Sequence, residues 1–276
     1  MPFARIAQSP LIPGVSPVEV YYREFGSGLP LLFLHGGWGY EIYPFDRQIA
    51  EFSTSFRILI PDRTGYGRSL RVDELPLHFH AAAAAESESF LEALEVDRCV
   101  LWGHSDGAVI AAIMGLSHPE RYPGMMLEAF HYDRLKPRSR EFFTRMEADP
   151  DSFGERVCAI LARDHGEDYW RTVMRCGGRA WAEIARTAHL PERDLFGQRL
   201  AQLKPPTILI HGSEDPRTEP GELDRVKQVL PGVPVHLIAG GGHSPHSERG
   251  AAAECNRIAG QFLREVKATV SWDLGE

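Results

Sequence analysis

Long apolar runs are absent from this sequence. The longest, residues 31–34 and 109–114, have the length of a strand or a buried helix, far short of the roughly 20 residues that a membrane-spanning helix needs. The first 15 residues also lack the continuous apolar stretch of a signal peptide. We therefore expect a cytoplasmic protein without a membrane partner.

Cysteine is scarce, with four residues at positions 99, 158, 176 and 255. They are too dispersed for a zinc knuckle or a redox pair, so we expect reduced thiols. His78 and His80 are two positions apart and would face different sides of a helix, which argues against a helical zinc pair. A P-loop and a dinucleotide fingerprint are missing too. The sequence therefore predicts neither a metal nor a cofactor.

Basic charge is also in short supply, with 30 Lys and Arg against 38 Asp and Glu and a net charge of −8. This balance argues against generic nucleic-acid binding, which needs a basic face. The charge is uneven, because residues 131–204 carry 14 basic and 12 acidic side chains, net +2, and the remainder nets −10. The asymmetry predicts that the middle of the chain is a separate structural layer.

What the sequence does contain is an alternation of short β-rich runs with helix-like stretches. Strands are predicted at residues 18–23, 31–34, 57–60, 99–102, 125–127, 207–210 and 235–238. Helices are predicted at residues 80–94, 108–116 and 251–266. This order indicates an α/β fold, with a mostly parallel central sheet and helices on both of its faces.

The alternation breaks between residues 131 and 204. That segment has helical composition, at 141–146, 153–162 and 181–187, and no clear strand. We therefore expect a core domain made of residues 1–130 and 205–276, with residues 131–204 inserted as a helical cap.

The strongest motif is G-x-S-x-G at residues 103–107. It follows a predicted strand and opens a predicted helix, which is the context of a nucleophile elbow. The glycines would allow a sharp turn that presents the Ser105 hydroxyl, and the helix N-terminus behind it offers free N–H groups. The alternative is a glycine-lined turn with an ordinary N-cap serine, because short motifs also match by chance.

Two later strands also end in reactive side chains. Asp215 follows the strand predicted at residues 207–210, and His243 follows the one at 235–238 after three glycines. Catalytic groups of open parallel sheets gather at the carboxyl ends of the strands, so both can meet Ser105 at one edge. The chain order Ser, Asp, His is the order that such a fold uses.

With these residues the chain resembles the α/β-hydrolase fold superfamily, of the single-cap esterase and lipase kind. Residues 35–39 read H-G-G-W-G, like the family's oxyanion loop, and residues 62–69 match its D-x-x-G-x-G-x-S stretch. The resemblance covers about residues 18–267, and the cap alone lacks a matching motif. Serine at position 105 argues against the haloalkane dehalogenase and epoxide hydrolase branches, which carry aspartate there.

The resemblance implies a role for each motif residue. Ser105 would be the nucleophile, and His243 would be the base that takes its proton and later returns it to the leaving group. Asp215 would orient the imidazole and stabilise its cation. The backbone N–H groups of Gly37 and Asp106 would form the oxyanion hole.

Further residues around these motifs are expected to support the site. Trp38 and His104 are expected to line the substrate pocket, with His104 packed in the elbow rather than acting in catalysis. His35, Asp62 and Arg68 are expected to be structural, tying loops beneath the site.

Some roles have competitors. Glu128, at the end of a strand, ranks second to Asp215 as the acid, and the neighbouring Glu214 ranks third. His246 could compete with His243 as the base, although a pocket-wall or helix position fits it better.

The side chain of Asp106 is unusual beside a nucleophile. Pointing into the pocket, it could pair with a cationic substrate group, but it would also oppose the developing oxyanion. We therefore expect it to turn away and hydrogen-bond within the first turn of its helix.

The resulting hypothesis is a cofactor-independent serine hydrolase that cleaves a small-molecule carboxylic ester or lactone through an acyl-enzyme. An amidase, a carbon–carbon bond hydrolase and a cofactor-free perhydrolase can use the same residues, so they stay open. A low-turnover ligand-binding receptor of the same fold is the alternative from another class. Aromatic residues of the cap could line an acyl pocket or fill the cap core: Tyr132, Phe142, Phe143, Tyr169, Trp170 and Trp181.

Overall fold

Eight strands form one sheet in the computed structural model, which describes residues 2–270. The strands are β1 Phe3–Ile6, β2 Val18–Phe25, β3 Leu29–Leu34, β4 Phe56–Pro61, β5 Val100–His104, β6 Met125–Glu128, β7 Thr207–Gly212 and β8 Val235–Ile238. Their order across the sheet is β1-β2-β4-β3-β5-β6-β7-β8. β3 to β8 run parallel to one another, and β2 is antiparallel to both of its neighbours, β1 and β4. The predicted mostly parallel α/β sheet is confirmed.

Eight α-helices surround and extend the sheet. They are α1 Asp46–Phe52, α2 Phe79–Ala93, α3 Asp106–Ser117, α4 Arg140–Ala148, α5 Glu155–His165, α6 Trp170–Arg186, α7 Glu222–Val229 and α8 Ala252–Thr269. Alternation along the buried strand β3 divides the core into two layers. Leu32 and Leu34 pack with side chains of α2 and α3, whereas Leu31 and Phe33 pack with side chains of α1 and α8.

The segment between β6 and β7 contains three helices, α4 to α6, and no strand. The sequence predicted only the last part of α6, because Gly177 and Gly178 interrupt its helical pattern. The two glycines lie inside the helix where α4 crosses it. A Cβ on Gly178 would lie 2.6 Å from the Phe143 oxygen and 2.6 Å from the Glu147 nitrogen. The close packing of α4 on α6 therefore explains why two glycines, which have low helix propensity, lie inside α6.

A buried ion pair joins this helical segment to the strand-bearing part of the chain. The Lys136 ammonium lies 2.7 and 2.8 Å from the two Glu222 carboxylate oxygens, and both side chains are at most 1% exposed. Removing one partner of a buried pair leaves the other charge uncompensated.

We expect Glu222→Gln to lower the free energy of unfolding by about 3–5 kcal/mol, because it leaves the Lys136 ammonium buried without a counter-charge. The matched control is Asp133→Asn, which breaks a pair with Arg225 whose side chain is 44% exposed and should cost about 1 kcal/mol or less. Urea denaturation measures both values. Equal losses for the two variants would contradict the greater contribution of the buried ion pair to stability.

Among residues 2–270, no helix is long and apolar enough to cross a membrane.

Candidate active site

Ser105 occupies the single position between β5 and α3, with backbone angles of φ 56° and ψ −118°. A non-glycine residue adopts a positive φ only when its surroundings impose it. The two flanking glycines allow the turn, since a Cβ on Gly107 would lie 1.9 Å from the Leu34 oxygen and one on Gly103 would lie 2.1 Å from the Gly107 oxygen. Ser105 makes no side-chain capping bond to α3. Its geometry is that of an elbow and not of an N-cap serine.

The loops after β7 and β8 bring Asp215 and His243 to Ser105. His243 Nε2 lies 3.0 Å from Ser105 Oγ. The other ring nitrogen, Nδ1, lies 3.0 Å from each Asp215 carboxylate oxygen. The structure thus joins the three side chains in one chain of hydrogen bonds, in the arrangement that activates a serine hydroxyl.

The competing acids and the competing base lie elsewhere. The Glu128 carboxylate accepts hydrogen bonds from Trp102 Nε1 at 2.9 Å and binds His246 Nδ1 at 2.8 Å, fully buried. His246 Nε2 contacts the Tyr43 carbonyl oxygen at 3.0 Å. Glu214 is exposed to solvent. Glu128 and His246 therefore form a separate buried pair, and neither side chain hydrogen-bonds the Ser105 hydroxyl.

The charge states suit base catalysis near neutrality. Burial lowers the pKa of His243, and the Arg217 charge lowers it further, whereas the Asp215 carboxylate opposes both. Burial raises the pKa of Asp215, but the His243 imidazole and its hydrogen bond outweigh this effect, so the carboxyl pKa falls below its usual range. At neutral pH the pair consists of a neutral imidazole and an ionised carboxylate.

We expect kcat/KM for a neutral p-nitrophenyl ester to rise with pH through a midpoint below 6.5 and then to level off. Only neutral His243 can accept the serine proton, and its lowered pKa moves that requirement to more acidic pH; kcat/KM reports the free enzyme. Rates measured between pH 4.5 and 8 locate the midpoint. A midpoint above 7 would contradict the lowered pKa of His243.

The expected oxyanion-hole donors, Gly37 and Asp106, line the same pocket as Ser105. Within residues 2–270, neither backbone N–H donates a hydrogen bond to another protein group. Arg63 fixes the loop before Gly37 by donating hydrogen bonds to the carbonyl oxygens of His35 and Gly36. A Cβ on Gly37 would lie 2.5 Å from Asp106 Oδ2, so any larger residue there would displace the Asp106 carboxylate. Both amides are available to a ligand.

The expectation for the Asp106 side chain is wrong. Its Oδ1 does not bond within the first turn of α3 but lies 3.0 Å from Trp181 Nε1 on α6 and 3.0 Å from His80 Nε2 on α2. The Asp106 carboxylate therefore binds side chains of two neighbouring helices and not groups of its own helix. Burial raises the pKa of Asp106, yet the His80 hydrogen bond and charge lower it more. The side chain is an ionised, hydrogen-bonded wall of the pocket.

His131 is a site residue that the sequence reasoning missed. Its Nε2 lies 3.2 Å from Ser105 Oγ, so two imidazoles contact the hydroxyl. The ring stacks on His243 with centroids 5.7 Å apart and an interplanar angle of 19°. Burial and the Lys136 charge hold its pKa well below the usual range, so it is neutral. The sequence signal that could have identified His131 is its position three residues after β6. Asp215 and His243 were identified in the same way, as side chains that follow the carboxyl ends of strands.

The residues expected to line the substrate pocket divide into a wall and a support. Trp38 lies on the pocket and stacks on Phe142, with centroids 5.5 Å apart. His104 also borders it, but its Nε2 bonds Ser244 Oγ at 2.9 Å and the His243 carbonyl oxygen at 3.0 Å. His104 therefore positions the His243 loop. The pocket holds about 420 Å³, its open mouth included.

The other expected structural residues hold neighbouring loops. Asp62 pairs with Arg23 at 2.5 Å and accepts the backbone N–H of Arg68 at 3.0 Å. Of the six aromatic residues expected in the cap, three line the pocket, and they are Phe142, Phe143 and Trp181. Among residues 2–270, no cluster of three or more His, Cys, Asp or Glu side chains is placed to hold a metal.

The alpha/beta hydrolase family model matches residues 31–254. The chain belongs to the alpha/beta hydrolase family. The human serine hydrolase BPHL is 25% identical over 265 residues, covering 91% of this chain and 84% of the human protein. A non-heme haloperoxidase from Rhodococcus erythropolis is 26% identical over 232 residues, covering 75% of this chain and 82% of that protein.

A solved structure of a thermophilic esterase from Thermogutta terrifontis shares the fold of this alpha/beta hydrolase. The TM-score is 0.73 at 21% sequence identity, and the match covers 96% of this chain and 99% of the esterase.

Proposed function

We propose that this alpha/beta hydrolase cleaves a carboxylic ester or lactone through an acyl-enzyme on Ser105. The observation that carries the proposal is the continuous hydrogen-bond chain from Ser105 through His243 to Asp215, with distances of 3.0 Å at each link. A serine hydroxyl is a weak nucleophile until a base removes its proton. In this pocket His243 would be that base, and Asp215 would be the carboxylate that orients it.

Acylation then proceeds in two proton transfers. Ser105 Oγ attacks the substrate carbonyl while its proton passes to His243 Nε2, and the imidazolium returns the proton to the departing alkoxide. The N–H groups of Gly37 and Asp106 bind the negative oxygen of the tetrahedral intermediate. Each such donor typically stabilises the transition state by about 2.7–4 kcal/mol. Water repeats the sequence on the acyl-enzyme and releases the acid.

The related proteins support a hydrolase but carry different chemistries in their names. They include a serine hydrolase, an epoxide hydrolase and a bifunctional esterase/perhydrolase. A serine nucleophile with free oxyanion-hole amides favours acyl transfer over epoxide opening. The epoxide hydrolases that the sequence resembles carry an aspartate at this position. Residues 131–204 would act as the cap that selects the substrate, because Phe142, Phe143 and Trp181 face the nucleophile from that segment.

The test is a panel of substrates that share one acyl group. We expect kcat/KM to be highest for the p-nitrophenyl ester or the lactone, lower for the anilide and absent for a carbon–carbon substrate. A fluorophosphonate probe should label Ser105. An anilide turned over faster than the ester would instead identify an amidase. Labelling without any turnover would favour the receptor.

A further inference from the structure

Arg217 is a charged wall of the catalytic pocket that the reaction steps above do not use. It lies two residues after Asp215, whose Oδ1 accepts the Arg217 backbone N–H at 2.8 Å. Its guanidinium carbon lies 3.9 Å from the centroid of the Phe142 ring and 5.7 Å from that of Trp38. Stacking of this kind holds the planar guanidinium in place while leaving its N–H donors free.

The acidic side chains around Arg217 bind other groups of the protein. Asp215 binds His243, and Glu222 binds Lys136. Glu219 accepts the backbone N–H groups of residues 138 and 139. Within residues 2–270, no carboxylate lies within ion-pair distance of the Arg217 guanidinium. This half-buried cation has no counter-ion in that part of the chain, and it lines the same pocket as Ser105.

A groove that shares Phe142 and Arg217 with the pocket carries the same sign of charge. Arg217 borders this groove, where Arg138 and Arg145 lie with Glu141 as its one acidic lining residue in the described chain. The two additional arginines likewise form no ion pair among residues 2–270. The groove is therefore locally positive, although the whole chain has a net charge of −8. Such a patch attracts anionic ligands and raises their association rate.

The pocket also contains a carboxylate, Asp106, that could attract a cation instead. The Oδ1 atom of Asp106 already lies 3.0 Å from the ring nitrogens of Trp181 and His80. Asp106 is 3% exposed. Arg217 has no comparable polar partner for its guanidinium among the described residues. Asp106 Oδ2 accepts no hydrogen bond from the described residues, but Asp106 has two ring N–H partners at Oδ1 and the Arg217 guanidinium has none. The larger unmet hydrogen-bonding capacity of the pocket is therefore cationic.

We propose that Arg217 binds an anionic group of the substrate, and that the substrate is an ester bearing a carboxylate, such as a monoester of a short dicarboxylic acid. This inference rests on the proposed function, because it concerns the same pocket. A guanidinium binds a carboxylate through two parallel N–H donors, which fixes orientation as well as charge. The carboxylate can belong to the acyl or to the alcohol portion, and both place an anion beside the scissile bond.

The test compares matched anionic and neutral esters at pH 8, where His243 is neutral. The acyl arm uses mono-p-nitrophenyl glutarate against its methyl ester, and the alcohol arm uses 3-acetoxypropanoate against its methyl ester. The wild type should prefer the anion in one arm. In Arg217→Gln the ratio of kcat/KM for anionic over neutral ester should fall about 10- to 100-fold, the usual value of hydrogen bonds to a charged group.

Two further variants separate the charge from general damage. Arg163→Gln removes the same charge from an exposed pair with Glu41 and should leave both rates and their ratio unchanged. Arg217→Lys keeps the charge and should restore part of the ratio. Thermal unfolding of each variant checks that it folds.

Several results would overturn the proposal. A wild-type enzyme that prefers the neutral ester in both arms, or a cationic amino ester over both, would show that Arg217 does not select anions. So would a ratio that Arg217→Gln leaves unchanged. In these cases fluorophosphonate labelling of Ser105 and turnover of the neutral ester would still uphold the hydrolase. Absence of labelling and of all turnover would overturn the hydrolase and the anion subsite together.

Discussion

Replacing Ser105 with alanine is expected to lower kcat by about 10⁴-fold or more on any ester that the wild type hydrolyses. The substitution removes the atom that attacks the carbonyl, and the remaining amides of the oxyanion pocket cannot supply a nucleophile. Steady-state hydrolysis of p-nitrophenyl butyrate measures the loss.

The matched control for this variant is Ser213→Ala. Ser213 lies in the exposed loop before Asp215, and its Oγ accepts only the Gly240 backbone N–H at 2.9 Å within the described chain. A surface change of this type should alter kcat by about twofold or less. Activity of Ser105→Ala within tenfold of the wild type would show that another residue performs the chemistry.

Replacing Asp215 with asparagine is expected to lower kcat by about 10⁴-fold. The amide keeps the shape of the side chain, but it can donate a hydrogen bond to His243 Nδ1 and so stabilise the wrong tautomer of the imidazole. It also removes the negative charge that stabilises the imidazolium. Steady-state kinetics of the folded variant, checked by circular dichroism, measure the effect.

Glu214→Gln is the control for Asp215→Asn, because it makes the same chemical change one residue away. Glu214 is exposed, and the Glu128 carboxylate is already bound to His246 and Trp102. We expect kcat of Glu214→Gln to stay within about twofold of the wild type. A large loss in Glu214→Gln together with an active Asp215→Asn would reassign the acid.

Much of the fold was predictable because the strands carry short-range signals. Each buried parallel strand is a run of apolar residues ended by glycine, proline or a polar side chain, and this pattern depends on local sequence alone. For example, a strand was predicted at residues 125–127, and the buried strand β6 spans Met125–Glu128. The first part of α6 was not predicted, because its two glycines weaken the helical pattern. They are explained by the contact between α6 and α4, which the local sequence does not show.

The arrangement of Ser105, Asp215 and His243 could be proposed from sequence for a similar reason. Each follows a strand, and the topology of a parallel sheet brings strand ends together. The partners of Asp106 could not be found this way. They are His80 on α2 and Trp181 on α6, and only the packing of these helices against α3 places their ring nitrogens at the carboxylate.

The anion preference assigned to Arg217 also depends on packing. The sequence shows an arginine near Asp215, but the Phe142 ring that holds it comes from α4. The sequence alone left the substrate charge open, because Asp106 could pair with a cation whereas residues 131–204 carry a net charge of +2. The structure shows which of these groups already has hydrogen-bond partners.

The most direct test of the central claim is a rapid-quench experiment with p-nitrophenyl butyrate that combines burst kinetics with intact-protein mass spectrometry. We expect a burst of about one equivalent of p-nitrophenol whenever deacylation is the slower step. We also expect one butyryl group per chain, located on the peptide that contains Ser105 and absent from Ser105→Ala. An adduct on another residue, or hydrolysis that continues at the wild-type rate in Ser105→Ala, would contradict this claim.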